Sequence, residues 1–180
     1  MVEIREIRRS DAALLRDLHL RMYADAPDAF SETLADAEAM TAADWQARAE
    51  RFAGTPEAVA FAALQDGATI GFVAGFVGRW RDGAMRRDAR ETVTMARAWV
   101  DPQQRRKGVG RALASAVESW AIQAGADVLE AQVTENNAPA IAFYEKLAFR
   151  DTGRREPLRS NPALQIHFLS RSLRRGAVDE

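Results

Sequence analysis

The segment best equipped for chemistry is Trp99-Val100-Asp101-Pro102-Gln103-Gln104-Arg105-Arg106-Lys107-Gly108-Val109-Gly110-Arg111. An apolar strand ends at Asp101-Pro102, a basic turn with two glycines follows, and a long amphipathic stripe begins at Val109. The start of a helix offers unpaired N–H groups and a partial positive charge, and glycine lets backbone approach an oxyanion closely. Arginines and a lysine add mobile charge around such a nest. The chemistry is that of holding an anion, and phosphate is the natural occupant. A P-loop does not fit, because no Gly-Lys-Ser/Thr is present and Lys107 precedes its glycine. A dinucleotide fingerprint does not fit either, because Leu113 stands where its last glycine or alanine belongs.

Charge distribution marks the same region. The net charge is −1, but residues 1–78 carry 7 basic and 13 acidic side chains, whereas residues 79–111 carry 10 basic and 4 acidic. The middle of the chain is a basic island in a near-neutral protein. That favours a local anion site over bulk nucleic-acid binding, and only Trp80 interleaves the arginines of 79–90 for base stacking. No cysteine is present, which excludes disulfides, thiolate metal sites and a cysteine nucleophile. With only His19 and His167, no metal site is expected. No stretch approaches the ~18 apolar residues of a membrane span, and Met1-Val2-Glu3-Ile4-Arg5-Glu6 is unlike a secretory signal. A cytoplasmic protein with no nucleic-acid or membrane partner is expected.

Elements must position the basic turn. One domain over residues 1–180 is expected, with a tail from about 174. Val2–Arg8 reads as a strand, and Ser10 as the N-cap of a helix through about Tyr23. Residues 26–30 read as a loop. Thr41-Ala42-Ala43-Asp44 resembles a capping box before a helix with Trp45, Ala49 and Phe52 on one face. Ala58–Leu64 and Thr69–Val77 form a hairpin about Asp66-Gly67. Residues 79–90 read as a loop and Glu91–Val100 as a strand. A helix follows from Val109 to a stop at Gly125, then a strand over Val128–Thr134 and a helix capped by Asn137 with Pro139 in its first turn. Phe149–Arg154 and Leu164–Ser170 complete the strands. The order gives an α/β (α+β) fold with a mixed, mostly antiparallel twisted sheet of six to seven strands and helices on both faces.

A second informative block is Asn137-Ala138-Pro139-Ala140-Ile141-Ala142-Phe143-Tyr144-Glu145-Lys146-Leu147-Ala148-Phe149. Arg105-Arg106-Lys107-Gly108-Val109-Gly110 resembles the Arg/Gln-x-x-Gly-x-Gly/Ala motif of the GNAT superfamily of N-acetyltransferases. Val100-Asp101-Pro102 sits where that family has a Val-x-Pro strand end. The later block resembles the family's Asn, Tyr and Phe spacing, with Ala148 where glycine is common. The two blocks span residues 91–150 in the family's order.

The resemblance implies an acyltransferase that moves an acetyl group from acetyl-CoA to a primary amine by direct attack in a ternary complex. Backbone N–H groups of Arg105, Arg106, Lys107, Gly108, Val109, Gly110 and Arg111 would hold the pyrophosphate. Pantetheine would pair with Ala98, Trp99 and Val100, where two strands splay. Asn137 would orient the cofactor or cap its helix. Tyr144 would give its proton to the leaving thiolate. An ordinary tyrosine, with pKa about 10, keeps its proton at neutral pH. Glu91 is the only acid on its strand and a candidate base. Asp28, Phe30 and Glu32 would form an acceptor wall, and Trp45, Trp80 and His19 are further candidates for shaping that pocket. A small-molecule or peptide amine is the implied partner, and homodimers are common among similar proteins. The acidic first half would attract a cationic amine. The alternative reading is a non-catalytic module of the same fold that senses acyl-CoA.

Overall fold

The computed structural model describes residues 1–87 and 91–173. The expected tail and Arg90 lie outside the described residues. The first strand, β1 (Val2–Glu6), leads into α1 (Ala12–Asp25). The N-cap of α1 is Asp11 and not Ser10. The Asp11 carboxylate accepts from Arg8 N (2.7 Å) and pairs with Arg5 (2.7 Å), so the tether of the preceding strand decides the helix start. A 3-10 turn (Pro27–Ala29) replaces the expected loop, followed by α2 (Leu34–Ala39), which the sequence reading missed. The Thr41 box caps α3 (Ala42–Gly54) as expected, with Trp45, Ala49 and Phe52 buried.

The hairpin β2 (Ala58–Gln65) and β3 (Ala68–Val77) turns at Asp66-Gly67, both at positive φ. Over residues 79–86 the arginine-rich segment is not the expected loop. It folds into a second hairpin, β4 (Arg79–Arg81) and β5 (Ala84–Arg86), about Asp82-Gly83. Arg79 leaves solvent to meet Glu130 (3.2 Å), whereas Arg81, Arg86 and Arg87 are exposed. Then come β6 (Thr92–Val100), a 3-10 turn (Pro102–Gln104), α4 (Val109–Gln123), β7 (Val128–Thr134) and α5 (Ala138–Lys146). The last strands, β8 (Arg150–Leu158) and β9 (Asn161–Ser172), are longer than their apolar runs predict. Charged residues at Arg154 and Arg155 hide the first of them, because each has an acidic partner (Glu130, 2.8 Å; Asp151, 2.6 Å).

The seven-stranded sheet runs β1-β2-β3-β6-β7-β9-β8, and only β6 and β7 are parallel. Alternation along β2 divides the core. Val59, Phe61 and Ala63 face α4 and α5, whereas Ala58, Ala60 and Ala62 face α1 and α3. The glycines of β3 admit α4 rather than bend the strand. A Cβ on Gly71 would stand 2.9 Å from Leu113 Cδ1, and one on Gly75 would stand 3.1 Å from Val117 Cγ1. Close packing on β3 thus fixes where α4 begins.

Ala148, the residue in place of the family's glycine, has φ +64 and is exposed. An L side chain strains there, and nothing packs on its methyl group. Ala148→Gly should raise stability by about 0.5–1 kcal/mol. A higher urea midpoint at unchanged slope would show it; an unchanged or lower midpoint would contradict it.

Candidate active site

Beyond Met95 and Ala131 the parallel pair β6 and β7 comes apart. The cause lies in β6. Ala96 faces Ala74 and Trp99 faces Phe72, so Arg97 and Ala98 oppose the single residue Val73. Arg97 takes φ +58, a costly conformation for a residue with a side chain. Such a bulge bends its strand and adds twist. A cavity of about 1110 Å³ opens between the strands. Ala98, Trp99 and Val100 form one wall, Thr134 the other, and Asn137 and Tyr144 of α5 close one side.

The basic turn stands at one end of this cavity. Gly108 caps α4 at φ +86, where a side chain would strain, and Arg106 is also left-handed at φ +63. The first capping bond of α4 runs from Ala112 N to Gly108 O (3.0 Å). The N–H groups of Val109, Gly110 and Arg111 therefore have no partner within the helix. Arg105, Arg106, Gly108, Gly110 and Arg111 line the cavity. Lys107 and Val109 do not: Lys107 Nζ donates to Gln104 Oε1 (3.2 Å), and the Val109 side chain is in the core. Arg105 is already engaged, donating to Val100 O (2.9 Å) and pairing with Asp25. Trp99 Nε1 also donates to Asp25 (2.8 Å), and Arg21 donates to Asp101 (2.8 Å) and Thr69 O (3.0 Å). These bonds pin the end of α1 to the turn. Of the turn's arginines that line the cavity, Arg106 and Arg111 are exposed and available to meet an anion.

Tyr144 is only 3% exposed yet lines the cavity. Burial raises its pKa, and no hydrogen bond contributes. Its hydroxyl is therefore neutral at physiological pH. Asn137 caps α5, accepting from Ala140 N (3.2 Å), and also lines the cavity.

A smaller cavity of about 160 Å³ lies beyond, sharing Ala29, Phe30 and Thr134 with the first. Glu32 lines it. Glu32 Oε1 accepts from Arg48 (2.9 Å) and Arg97 (3.1 Å), and Oε2 from Tyr23 Oη (2.6 Å) and Arg48 (3.1 Å). Burial alone would raise the Glu32 pKa, but Arg97, the Tyr23 hydroxyl and Arg48 hold it down at about 2. Such a carboxylate is a poor base at neutral pH. This network left no trace in residue spacing, because its members come from α1, α3, β6 and the loop before α2.

The other expected residues divide. Asp28 and Phe30 line the large cavity, and Asp28 accepts from Asn161 Nδ2 (3.2 Å). Trp80 lines the small one. Glu91 lines neither: it precedes the paired end of β6, about 30 Å of strand from Val100. His19 and Trp45 are buried core residues and line neither cavity. Nothing in their local sequence separates these two from true pocket aromatics.

The fold is shared with solved acetyltransferases. The chain superposes on an acetyltransferase of the GNAT family from Streptococcus pneumoniae with TM-score 0.76, at 18% identity over 96% of this chain and 99% of that one. A putative acetyltransferase from Salmonella typhimurium, solved with its cofactor acetyl-CoA, gives TM-score 0.74 at 22% identity over 100% of this chain and 98% of that one. The model of the Acetyltransferase (GNAT) family matches residues 18–149. An aminoglycoside N(6')-acetyltransferase type 1 from Stenotrophomonas maltophilia is 31% identical over 155 residues, 84% of this chain and 88% of that protein. The chain belongs to the GNAT acetyltransferase family and is an N-acetyltransferase of that family. Among the described residues no helix is long and apolar enough to cross a membrane.

Proposed function

We propose that this protein transfers the acetyl group of acetyl-CoA to a primary amine by direct attack in a ternary complex, with Tyr144 as the acid for the departing sulfur. The observation that carries the reading is the splay of β6 from β7 beside the start of α4, with a buried neutral tyrosine on its wall. The relative from Stenotrophomonas maltophilia bears the name of an aminoglycoside N(6')-acetyltransferase, which supports an amine acceptor.

The residues fit the donor. The helix-start N–H groups of Val109, Gly110 and Arg111, with Arg106 and Arg111 side chains, suit a pyrophosphate. The open β6 backbone near Ala98 and Val100 offers strand-like hydrogen bonds to an extended amide-bearing arm. When bound, acetyl-CoA supplies a thioester carbonyl for attack and a thiolate to leave. Phe30 and Ala29 line both cavities, so an amine held in the smaller one reaches the acetyl end past them. Tyr144 donates its hydroxyl proton to sulfur as the carbon–sulfur bond breaks and the carbon–nitrogen bond forms. The proton shed by nitrogen returns to the tyrosinate through water. Glu32 orients the wall and does not take that proton.

Thiol release from acetyl-CoA, followed with a panel of primary amines, tests the reading. Amine-dependent release accompanied by an acetylated amine is expected. Tight acetyl-CoA binding with no release on any amine would favour the sensing module instead.

A further inference from the structure

The smaller cavity carries an inference about the acceptor, and it rests on the acetyl-transfer reading above. Acidic composition of the first half of the chain suggests a cationic substrate, but the cavity itself has the opposite balance. Its charged lining is Glu32, Arg51 and Arg97. The four hydrogen bonds that Glu32 accepts fill the usual capacity of a carboxylate, so it offers nothing to an ammonium. Arg48 and Arg97 pair with this one acid, and Arg51 is a further arginine of the cavity lining. Arg51 lies over the Phe76 ring (5.3 Å) and has no ion-pair partner among the described residues. Arg97 sits at the strained bulge residue, and its side chain is 25% exposed. A backbone cost at a cavity wall is the kind of outlier that function explains.

We propose that the acceptor is a small amine that also carries a carboxylate, an amino acid, with the carboxylate held by Arg51 and Arg97 in the smaller cavity. The amine then reaches back past Phe30 toward Tyr144. Asp28 lines the large cavity and is adjacent in sequence to Ala29 of this passage, on the side where the amine end of such a zwitterion would lie. Size agrees with charge. About 160 Å³ is well below the ~300 Å³ at which pockets for drug-sized ligands begin. A multi-ring polycation meets neither the space nor a free carboxylate there.

The test compares the proteinogenic L-amino acids with their primary amides, beside spermidine and an aminoglycoside, by thiol release with acetyl-CoA. At least one amino acid should be acetylated, with kcat/KM about 10- to 100-fold above its amide, the span for hydrogen bonds to a charged group. In Arg51→Ala, an exposed position that should not disturb folding, the acid-over-amide preference should collapse toward unity. Equal turnover of acid and amide overturns the inference, as does preference for spermidine or the aminoglycoside. Acetyl-CoA binding with no amino acid turned over also overturns it. Failure to bind acetyl-CoA at all overturns instead the reading on which it rests.

Discussion

Tyr144→Phe should lower kcat by about 100-fold or more while leaving acetyl-CoA affinity within about twofold, the range expected when a positioned general acid is lost. The ring is buried at 3% exposure and packs edge-on against Phe143 (5.2 Å between centroids) and Phe149 (5.4 Å), so phenylalanine keeps the core. The hydroxyl takes part in no hydrogen bond that shifts its pKa, so its removal leaves no buried partner stranded. The effect should therefore fall on the chemical step. Pre-steady-state thiol release and a separate calorimetric Kd divide the two quantities. Unchanged turnover would remove Tyr144 from the acid role and leave solvent as the proton source. A parallel loss of binding would mean that the ring's polar edge holds the donor rather than protonating sulfur.

Acid should destabilise the fold through His19, with the second large effect. Its Nδ1–H donates to Leu15 O (2.7 Å), and Nε2 has no hydrogen-bond partner among the described residues. Tyr23, Trp45 and Phe72 rings surround it at 5.0 to 5.7 Å. Burial, then Arg97 and Arg48, push its pKa down to about 3, against the Leu15 carbonyl and Glu32. The unfolded chain binds the proton near pH ~6.5 and the folded one does not, so stability is full above that pH and falls as acid is added. Between pH ~6.5 and ~4.5 the loss should be on the order of 3 kcal/mol. Glu32 contributes in a lower window, from its ordinary range down to about 2. Urea titrations at several pH values should show the fall, and His19→Leu, less stable at neutral pH, should flatten it above pH ~4.5. An unaltered slope in the variant would assign the acid sensitivity elsewhere.

These two residues illustrate what was legible in the sequence. The place of Tyr144 on one face of a short helix was readable because helix spacing and the Asn137 cap are local, whereas its role was implied only by the resemblance. The basic turn was readable for the same reason: strand end, glycine and helix start are contiguous in the chain. His19 was not. Its partners come from α1, α3 and β3, so only the packed fold tells a core histidine from a pocket one. The Glu32 network was hidden likewise, since an acid counted as free charge in the composition is tied to two arginines. The β4–β5 hairpin was hidden differently. Asp82-Gly83 is the same turn signal as Asp66-Gly67, but its strands are arginine-rich and lack apolar alternation. The bulge at Arg97 has no local signature, because nothing in Met-Ala-Arg-Ala-Trp demands an extra residue; the register against β3 creates it. That bulge opens the cleft.

The most direct test of the account is a calorimetric titration of acetyl-CoA and of acetyl-pantetheine, which lacks the pyrophosphate, into the full chain at low and high salt. The cleft geometry predicts one site for acetyl-CoA, weakening as salt rises because Arg106 and Arg111 meet its phosphates, and far weaker binding of acetyl-pantetheine. No binding of acetyl-CoA, or equal binding of the two at both salt concentrations, would contradict an anion site at the start of α4.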